Sequence, residues 1–441
     1  MKHMSLGREY ASYVSLNILG MLGLSFYIIA DTFFVAQGLG TDGLAALNLA
    51  IPAYSFIHGT ALLLGMGGAT RFAVAKGQKE CGRANRIFTN TLQITGAAAV
   101  VFMLLGLFGS GFIARILGAE GAVLDMTRTY LRVLLLFSPA FLYNEVLLSF
   151  VRNDGAPQLA MCGMLVGSLC NIVLDYILVF PMGMGILGAV LATACAPLIS
   201  MGILSVHWIK GRSSLRLERA AFSPRETGQT AALGLPSLLT ELSSGVVIMV
   251  FNMLMLKLQG NVGVAAYGVI ANLSLVVIAI YTGIAQGNQP LLSRAYGGMD
   301  QATIRKLMRY AIGTVLVLSI FVYTAFFLWA DPIVAIFNSE GDAGMQQMAV
   351  SGMHLYFLGI PFAGCSIAIA VYFTSVCEAL PAHMIALLRG FILILPSAFL
   401  LSAWFGVNGV WLAFPAAEFL TGMISAVLYI RRAGKKNDRV G

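Results

Sequence analysis

Tyr27-Ile28-Ile29-Ala30-Asp31-Thr32-Phe33-Phe34-Val35 is an apolar run with one carboxylate at its centre, and no basic residue lies within a dozen positions of that acid. Placing a carboxylate inside a bilayer costs about 2.5–3.5 kcal/mol. Asp31 therefore has to face a cavity or a partner. The run lies in an apolar stretch, 11–38, that is long enough to cross a membrane. It is too long for the hydrophobic region of a signal peptide and has no convincing cleavage site, so it reads as a retained first helix.

The whole chain has the same character. Of its 441 residues 59% are hydrophobic and 10% charged, where a soluble protein carries roughly 25% charged residues. This is the composition of an all-α polytopic membrane protein. The 48 glycines suit membrane helices. Cys81, Cys162, Cys170, Cys195, Cys365 and Cys377 show no metal or disulfide spacing and read as packing residues.

Twelve apolar segments are long enough to span: 11–38, 43–71, 87–113, 123–150, 157–181, 185–209, 229–257, 263–294, 307–330, 345–377, 382–404 and 408–430. With the N-terminus inside, 23 of the 27 Lys and Arg residues fall on the cytoplasmic side, leaving Arg115, Arg128, Arg132 and Lys257 outside. The expected location is the cell inner (plasma) membrane, multi-pass, with both termini cytoplasmic. The basic C-terminus from Arg431 reads as a topology and headgroup anchor rather than a nucleic-acid binder.

The longest polar connection, Lys210 to Glu226, divides six segments from six, which sets lobes of 1–220 and 221–441. The halves resemble each other. Gly185-Ile186-Leu187-Gly188-Ala189-Val190-Leu191-Ala192 opens segment 6, and Gly406-Val407-Asn408-Gly409-Val410-Trp411-Leu412-Ala413 opens segment 12, 221 positions on. Pro157 and Pro381 open segments 5 and 11 at an offset of 224. Repeats of this kind mark transporters, with the substrate site between them. Two six-helix copies share one topology, so their pseudo-two-fold axis runs along the membrane normal.

Asp31 has prospective neighbours. Asn171 and Asp175 are four apart on segment 5 and share a helix face. At 1.5 Å per residue, Asp31 lies about 10 Å in from Gly38, Asp175 about 9 Å from Pro181 and Thr193 about 12 Å from Gly185. Three segments thus place polar groups at one depth in the outer half of the membrane. Their oxygens suit a small hard cation; closely placed carboxyls do not readily both ionise, so a proton is the other occupant. The alternative is a hydrogen-bonded cluster that joins helices.

At these residues the chain resembles the multidrug and toxic compound extrusion (MATE) family, in its prokaryotic DinF-like or MepA-like branch. The resemblance runs through Asp31-Thr32-Phe33-Phe34-Val35-Ala36-Gln37-Gly38 with Gly40 and Ala45-Ala46, Arg152-Asn153-Asp154-Gly155-Ala156-Pro157, and Asn171 with Asp175. It continues through Met184-Gly185 with Gly188 and Thr193, Gly234-Leu235-Pro236, Gly283-Ile284-Ala285-Gln286-Gly287 with Gln289-Pro290, Leu388-Arg389 with Pro396, and Gly409-Val410-Trp411 with Pro415 and Glu418. It implies twelve helices in two six-helix lobes around a V-shaped cleft, and a secondary transporter rather than an enzyme. It implies efflux of drug-like organic cations driven by Na+ or H+, with Asp31, Asn171, Asp175 and Thr193 as the N-lobe cation site (the metal ligands if the ion is Na+). Segment 1 lacks the proline at which some members bend; Gly20 and Gly23 are its soft points. Another branch uses acids on helices 7 and 10, but here Glu241 sits close to Gly234-Leu235-Pro236 and segment 10 offers His354 and no deep acid, so a C-lobe sodium site is not expected.

Further polar residues lie within segments. Glu241 is a counter-charge candidate for a cationic substrate; Asn48, His58, Asn272, His354 and Glu418 are cavity candidates. Each also has a structural reading as a helix-bridging hydrogen bonder. Glu145 reads as a partner of Arg152, and Tyr54, Tyr143, Tyr267 and Tyr281 are aromatic candidates for cation–π contact. Methionines such as Met249, Met253 and Met255 suit promiscuous surfaces but more commonly pack. No phosphate-binding loop is present, so ATP does not drive this chain.

The expectation is therefore a cation-coupled multidrug antiporter working by alternating access. It has no cofactor beyond the coupling ion, its partners are small organic cations and membrane lipids, no nucleic acid binds, and the chain is a monomer. The alternative is a flippase of lipid-linked or amphiphilic intermediates, which needs a cationic cleft for phosphate, whereas here the deep charges read as acids and no Lys or Arg lies deep in a segment. A channel is a further rival, but no filter or charged ring is visible.

Overall fold

The computed structural model describes residues 5–211, 213–219, 221–338 and 341–437, with side chains described as far as Arg432. Lys2, Arg212 and Arg439 and the side chains of Lys435 and Lys436, which belong to the sequence's basic clusters, lie outside the described residues. The elements are helices: α1 (6–39), α2 (41–77), α3 (Cys81–Ile116), α4 (121–153), α5 (Pro157–Val179), α6 (Gly185–Ile209), α7 (224–259), α8 (261–297), α9 (Gln301–Leu328), α10 (Ala343–Ser375), α11 (379–405) and α12 (407–437). A short helix, Ala330–Phe337, follows α9. α4 is two helices, Gly121–Leu136 and Ser138–Asn153, bent by 48°, where Pro139 supplies no backbone donor.

Among the described residues, eight helices are long and apolar enough to cross a membrane, and nine when bent α4 is taken as one span. Three of these reverse at a single glycine, which makes twelve. Gly40, Gly260 and Gly406 have φ of 66°, 60° and 57° with strongly negative ψ, a region essentially reserved for glycine. The reversals are visible in side chains: Tyr27 and Tyr54, on opposite sides of the Gly40 turn, bring their hydroxyls to 3.1 Å, and Phe251 and Tyr267 stack at 5.4 Å across the Gly260 turn. The twelve expected segments each coincide with one helix to within a turn or two at the ends. α1 keeps helical dihedrals up to Gly40, and its Gly20 and Gly23 pack on Met164 and Leu165 of α5.

The backbone repeats between the halves. Left-handed φ values occur in pairs at Gly40 and Gly260, Lys79 and Met299, Gly118 and Gly341, Gly155 and Cys377, and Gly185 and Gly406, all 220 to 223 positions apart. The same turns are thus built twice. Buried apolar residues form one cluster in the C-terminal half, joined by Tyr10, Tyr13 and Val14 of α1, and two in the N-terminal half.

The two six-helix lobes meet at the basic end. A Cβ on Gly234 of α7 would lie 1.8 Å from the Leu63 carbonyl oxygen of α2, and one on Gly67 of α2 would lie 2.0 Å from the Thr230 oxygen of α7. Only glycine permits that approach. Around it, Arg71 of α2 reaches Glu226 and donates to Thr230 Oγ1 at 3.1 Å, Asn153 of α4 donates to Gln289 of α8 at 3.0 Å, and Arg294 of α8 pairs with Glu9 of α1 at 2.6 Å. Arg152 is buried and donates to Asn17 at 2.7 Å and Gln286 at 3.1 Å. The expected Glu145–Arg152 pair is corrected by these contacts: seven residues along a helix separate two side chains by about 10 Å of rise, whereas the α1 and α8 amides lie beside the guanidinium.

One loop carboxylate holds the basic end of the first lobe together. Asp154, between α4 and α5, accepts from Lys76 of α2, from His207 Nε2 of α6 at 2.8 Å, and from the Ser214 hydroxyl and its backbone N, the latter at 2.8 Å. Burial alone would push this carboxyl up, but the hydrogen bonds from Lys76, Ser214 and His207 and the charge of Lys76 outweigh it and hold the group below its usual range. A depressed carboxyl stabilises the fold above its unfolded value and ceases to do so as pH falls through its folded value. Asp154→Asn is expected to cost about 1–3 kcal/mol at neutral pH. The gap from the unsubstituted chain should close as pH drops below about 3.9, the unfolded value; unfolding midpoints in detergent across pH check it.

Candidate functional site

The predicted acids meet. Asp31 of α1 and Asp175 of α5 are 7% and 0% exposed, and their carboxyls lie close enough to act directly on each other. The four-residue spacing brings Asn171 onto the same face. With its amide nitrogen toward the acid, Asn171 donates to Asp175 Oδ2 at 3.1 Å and accepts from the backbone N of Thr193 at 3.2 Å. The Thr193 hydroxyl donates to Ala189 O at 3.1 Å, near the Tyr130 side chain of α4. Thr193 thus reaches the acids through Asn171 rather than through its own hydroxyl. Asp31 Oδ1 and Asp175 Oδ1 each lack a partner.

Two ionised carboxylates offer only acceptors. Two carboxyls this close do not readily both ionise. The low-dielectric surroundings sharpen this, because adjacent like charges there repel strongly. A positive charge placed there, a proton or a cation, would relieve that repulsion. The Thr193 hydroxyl, one of the expected oxygen ligands, donates to Ala189 O of its own helix.

A second group continues from the acids toward the seam between the lobes. Tyr27 stands one helical turn before Asp31 on α1, and its hydroxyl meets that of Tyr54 on α2. The Tyr54 ring stacks on His58, one turn further along α2, with centroids 5.7 Å apart and planes 7° from parallel. His58 Nδ1 faces Glu241 Oε1 of α7 at 3.3 Å, across the lobes. Two of the cavity candidates are therefore each other's partner.

The remaining candidates lie elsewhere. Asn48 and Asn272 are exposed, and Asn272 donates to its own turn at Gly268 O, 2.9 Å away. His354 of α10 contacts Phe327 O of α9 at 3.3 Å inside the second lobe. Glu418 of α12 is buried and pairs with Arg389 Nε at 2.8 Å. That pair corrects the expectation of no deep basic residue: Arg389 sits ten residues into α11, on the π-helical turn Leu388–Ile392, with its charge offset by Glu418. Tyr267 and Tyr281 are buried in the second lobe's core, and Tyr143 donates to Leu92 O at 3.2 Å. Tyr130 was missed, although it stands seven residues into its segment, about 10 Å deep, at the level of Asp31. The His58–Glu241 pairing had no local signal, because its members are 183 positions apart.

Known proteins resemble the chain over nearly all of it. The MatE family model matches residues 17–177 and 236–400. The multidrug export protein MepA of Staphylococcus saprophyticus is 26% identical over 426 residues, covering 94% of this chain and 92% of its own. MepA of Staphylococcus aureus strain MSSA476 is 27% identical over 421 residues with the same coverage. A solved outward-facing multidrug resistance MATE family transporter of the MOP superfamily superposes with a TM-score of 0.91 at 23% identity, covering 99% of both chains.

The bonding of Asn171 predicts its worth. Asn171→Ala leaves Asp175 Oδ2 and the site without their amide and is expected to cost about 1–3 kcal/mol. Asn272→Ala, on an exposed face, should stay within about 0.5 kcal/mol. Thermal unfolding of the two variants side by side checks the difference.

Proposed function

The chain belongs to the MatE family of multidrug and toxic compound extrusion transporters, and from that membership we propose that it exports organic, mostly cationic compounds in exchange for protons bound by Asp31 and Asp175. It is a multi-span membrane transporter and not an enzyme. What carries the proton reading is the meeting of two buried acids at one place in α1 and α5. The names of the MepA relatives, multidrug export proteins, support drug-like substrates. The buried and cleft-side acids support a preference for cations.

The lobes, 1–220 and 221–441, rock about the connection from Lys210 to Glu226. In the present state they are closed at the basic end, and the charge pattern, with 23 of 27 Lys and Arg residues on one side, supports that end facing the cytoplasm of a plasma-membrane protein. The cleft then opens outward, and protons reach the acids from outside. A proton shifts the balance of lobe states only by its difference in affinity for them. Inward movement of each positive charge is favoured by about 2.3 kcal/mol per 100 mV of negative interior potential. After protonation the gate at Gly67 and Gly234 separates, and cytoplasmic substrate enters when the protons leave. The flippase reading is not favoured: the charge of Arg389, within α11, is offset by Glu418.

In proteoliposomes a pH gradient should drive organic-cation efflux by the unsubstituted chain, and a sodium gradient at equal pH should not. Asp31→Asn and Asp175→Asn should each lower the pH-driven rate to background while the protein still inserts. Unsubstituted rates in both variants, or transport that follows sodium alone, would sink the proposal.

A further inference from the structure

The Glu241 carboxylate stands in the seam between the lobes, at mid-length of α7, where Gly59 of α2 packs on Leu238 of α7. Its ion-pair partner among the described residues is His58. The pair has two features of an exchangeable contact. The 3.3 Å approach is badly directed, since His58 Nδ1 is buried yet makes no hydrogen bond of proper geometry. The pair is also reachable: the two side chains keep 21% and 29% of their surface exposed. Well-formed buried ion pairs are directed and closed to solvent; this one is neither.

The surroundings suit a flat cation. Tyr54 lies parallel to the imidazole at 5.7 Å, and Phe141 of α4 closes edge-on against Tyr54 at 6.0 Å. A carboxylate on one side and an aromatic face on the other is the arrangement that binds planar cations by charge and by cation–π attraction. The charged groups around His58 are Glu241 on α7 and Glu145 on α4, whose charge reaches it through space, and the Tyr54 ring stacks on it from its own helix. The two acids favour a cation there, against the cost of burying its charge.

We propose that His58 is the resident counter-cation of the substrate site: its imidazolium occupies the Glu241 carboxylate between the lobes, and a planar organic monocation binds by taking its place against Glu241 and the Tyr54 ring. This rests on the efflux reading for its substrate class but not on proton coupling at Asp31. It makes His58 a specificity-determining residue. The imidazolium competes with substrate, so weak cations are excluded and the carboxylate is not left bare when the site is empty. Tyr54 also bonds Tyr27, one turn from Asp31, so the substrate and proton sites share a wall.

The test is equilibrium binding of N-methylacridinium to the purified full-length protein in detergent, without any gradient, beside the uncharged N-methylacridone. His58→Gln is expected to bind the cation about tenfold tighter than the unsubstituted chain, a change of one decade in Kd. Glu241→Gln should bind it at least about tenfold more weakly. His58→Lys, which installs a permanent internal cation, should behave like Glu241→Gln, and N-methylacridone should bind all four proteins alike. In weakly buffered solution, binding to the unsubstituted chain should release a proton that binding to His58→Gln does not. Equal or weaker cation binding by His58→Gln overturns the proposal, as does equal proton release from both proteins. Because no gradient is used, failure of proton-driven efflux leaves these outcomes unchanged, and the two readings fail separately.

Discussion

Two carboxyl groups pressed together inside an apolar bundle are the constraint on which the rest of this structure depends. Each acid alone would be expensive in a membrane, and two ionised acids in contact more so. The first lobe answers with an amide from Asn171 on one of them and the Tyr130 side chain nearby. α1, α4, α5 and α6 have to converge at one depth to bring these groups together. Their packing is therefore set by the acids as much as by apolar burial.

The basic end is built on the opposite principle. There the lobes touch through glycine backbones and through ion pairs and amides that reach from one half to the other: Arg71 to Glu226, Arg152 to Gln286, Arg294 to Glu9. The Arg294–Glu9 pair, half-exposed, is modest in net worth, while the buried Arg71 and Arg152 stay satisfied only with their partners in reach. A seam of that kind holds one state without making it permanent, which is what a two-state carrier requires. Asp154 acts within one lobe instead, joining α2, the α4–α5 loop, α6 and the polar connection into one unit. His58 and Glu241 lie between the gate and the acids, with the Tyr54–Tyr27 hydroxyl pair leading from one to the other.

Much of this was legible in the chain. Asp31 in its apolar run, the four-residue spacing of Asn171 and Asp175, and the common depth of both helices located the acid pair before any coordinates, because depth along a membrane helix is linear in residue number. The repeat was visible at Gly185 and Gly406, and the structure extends it to five pairs of left-handed turns, two of which include a non-glycine residue that carries no sequence signal. What could not be read was set by contacts across the lobes. Arg152 finds amides of α1 and α8 rather than the acid on its own helix. His58 and Glu241 each looked like lone cavity residues, since nothing in the local spacing of either announces the other. Arg389 looked like a membrane-edge cation and proved to lie within α11, matched by Glu418.

The central claim is that Asp31 and Asp175 hold one proton between them. Infrared difference spectroscopy of the purified protein, titrated from about pH 5 to about pH 9, a range that spans the values buried carboxyls reach, measures it directly. The account predicts one protonated-carboxyl band at neutral pH, lost on alkaline titration and altered by both Asp31→Asn and Asp175→Asn. A neutral-pH spectrum without a protonated carboxyl, or a band that both variants leave unchanged, would contradict it.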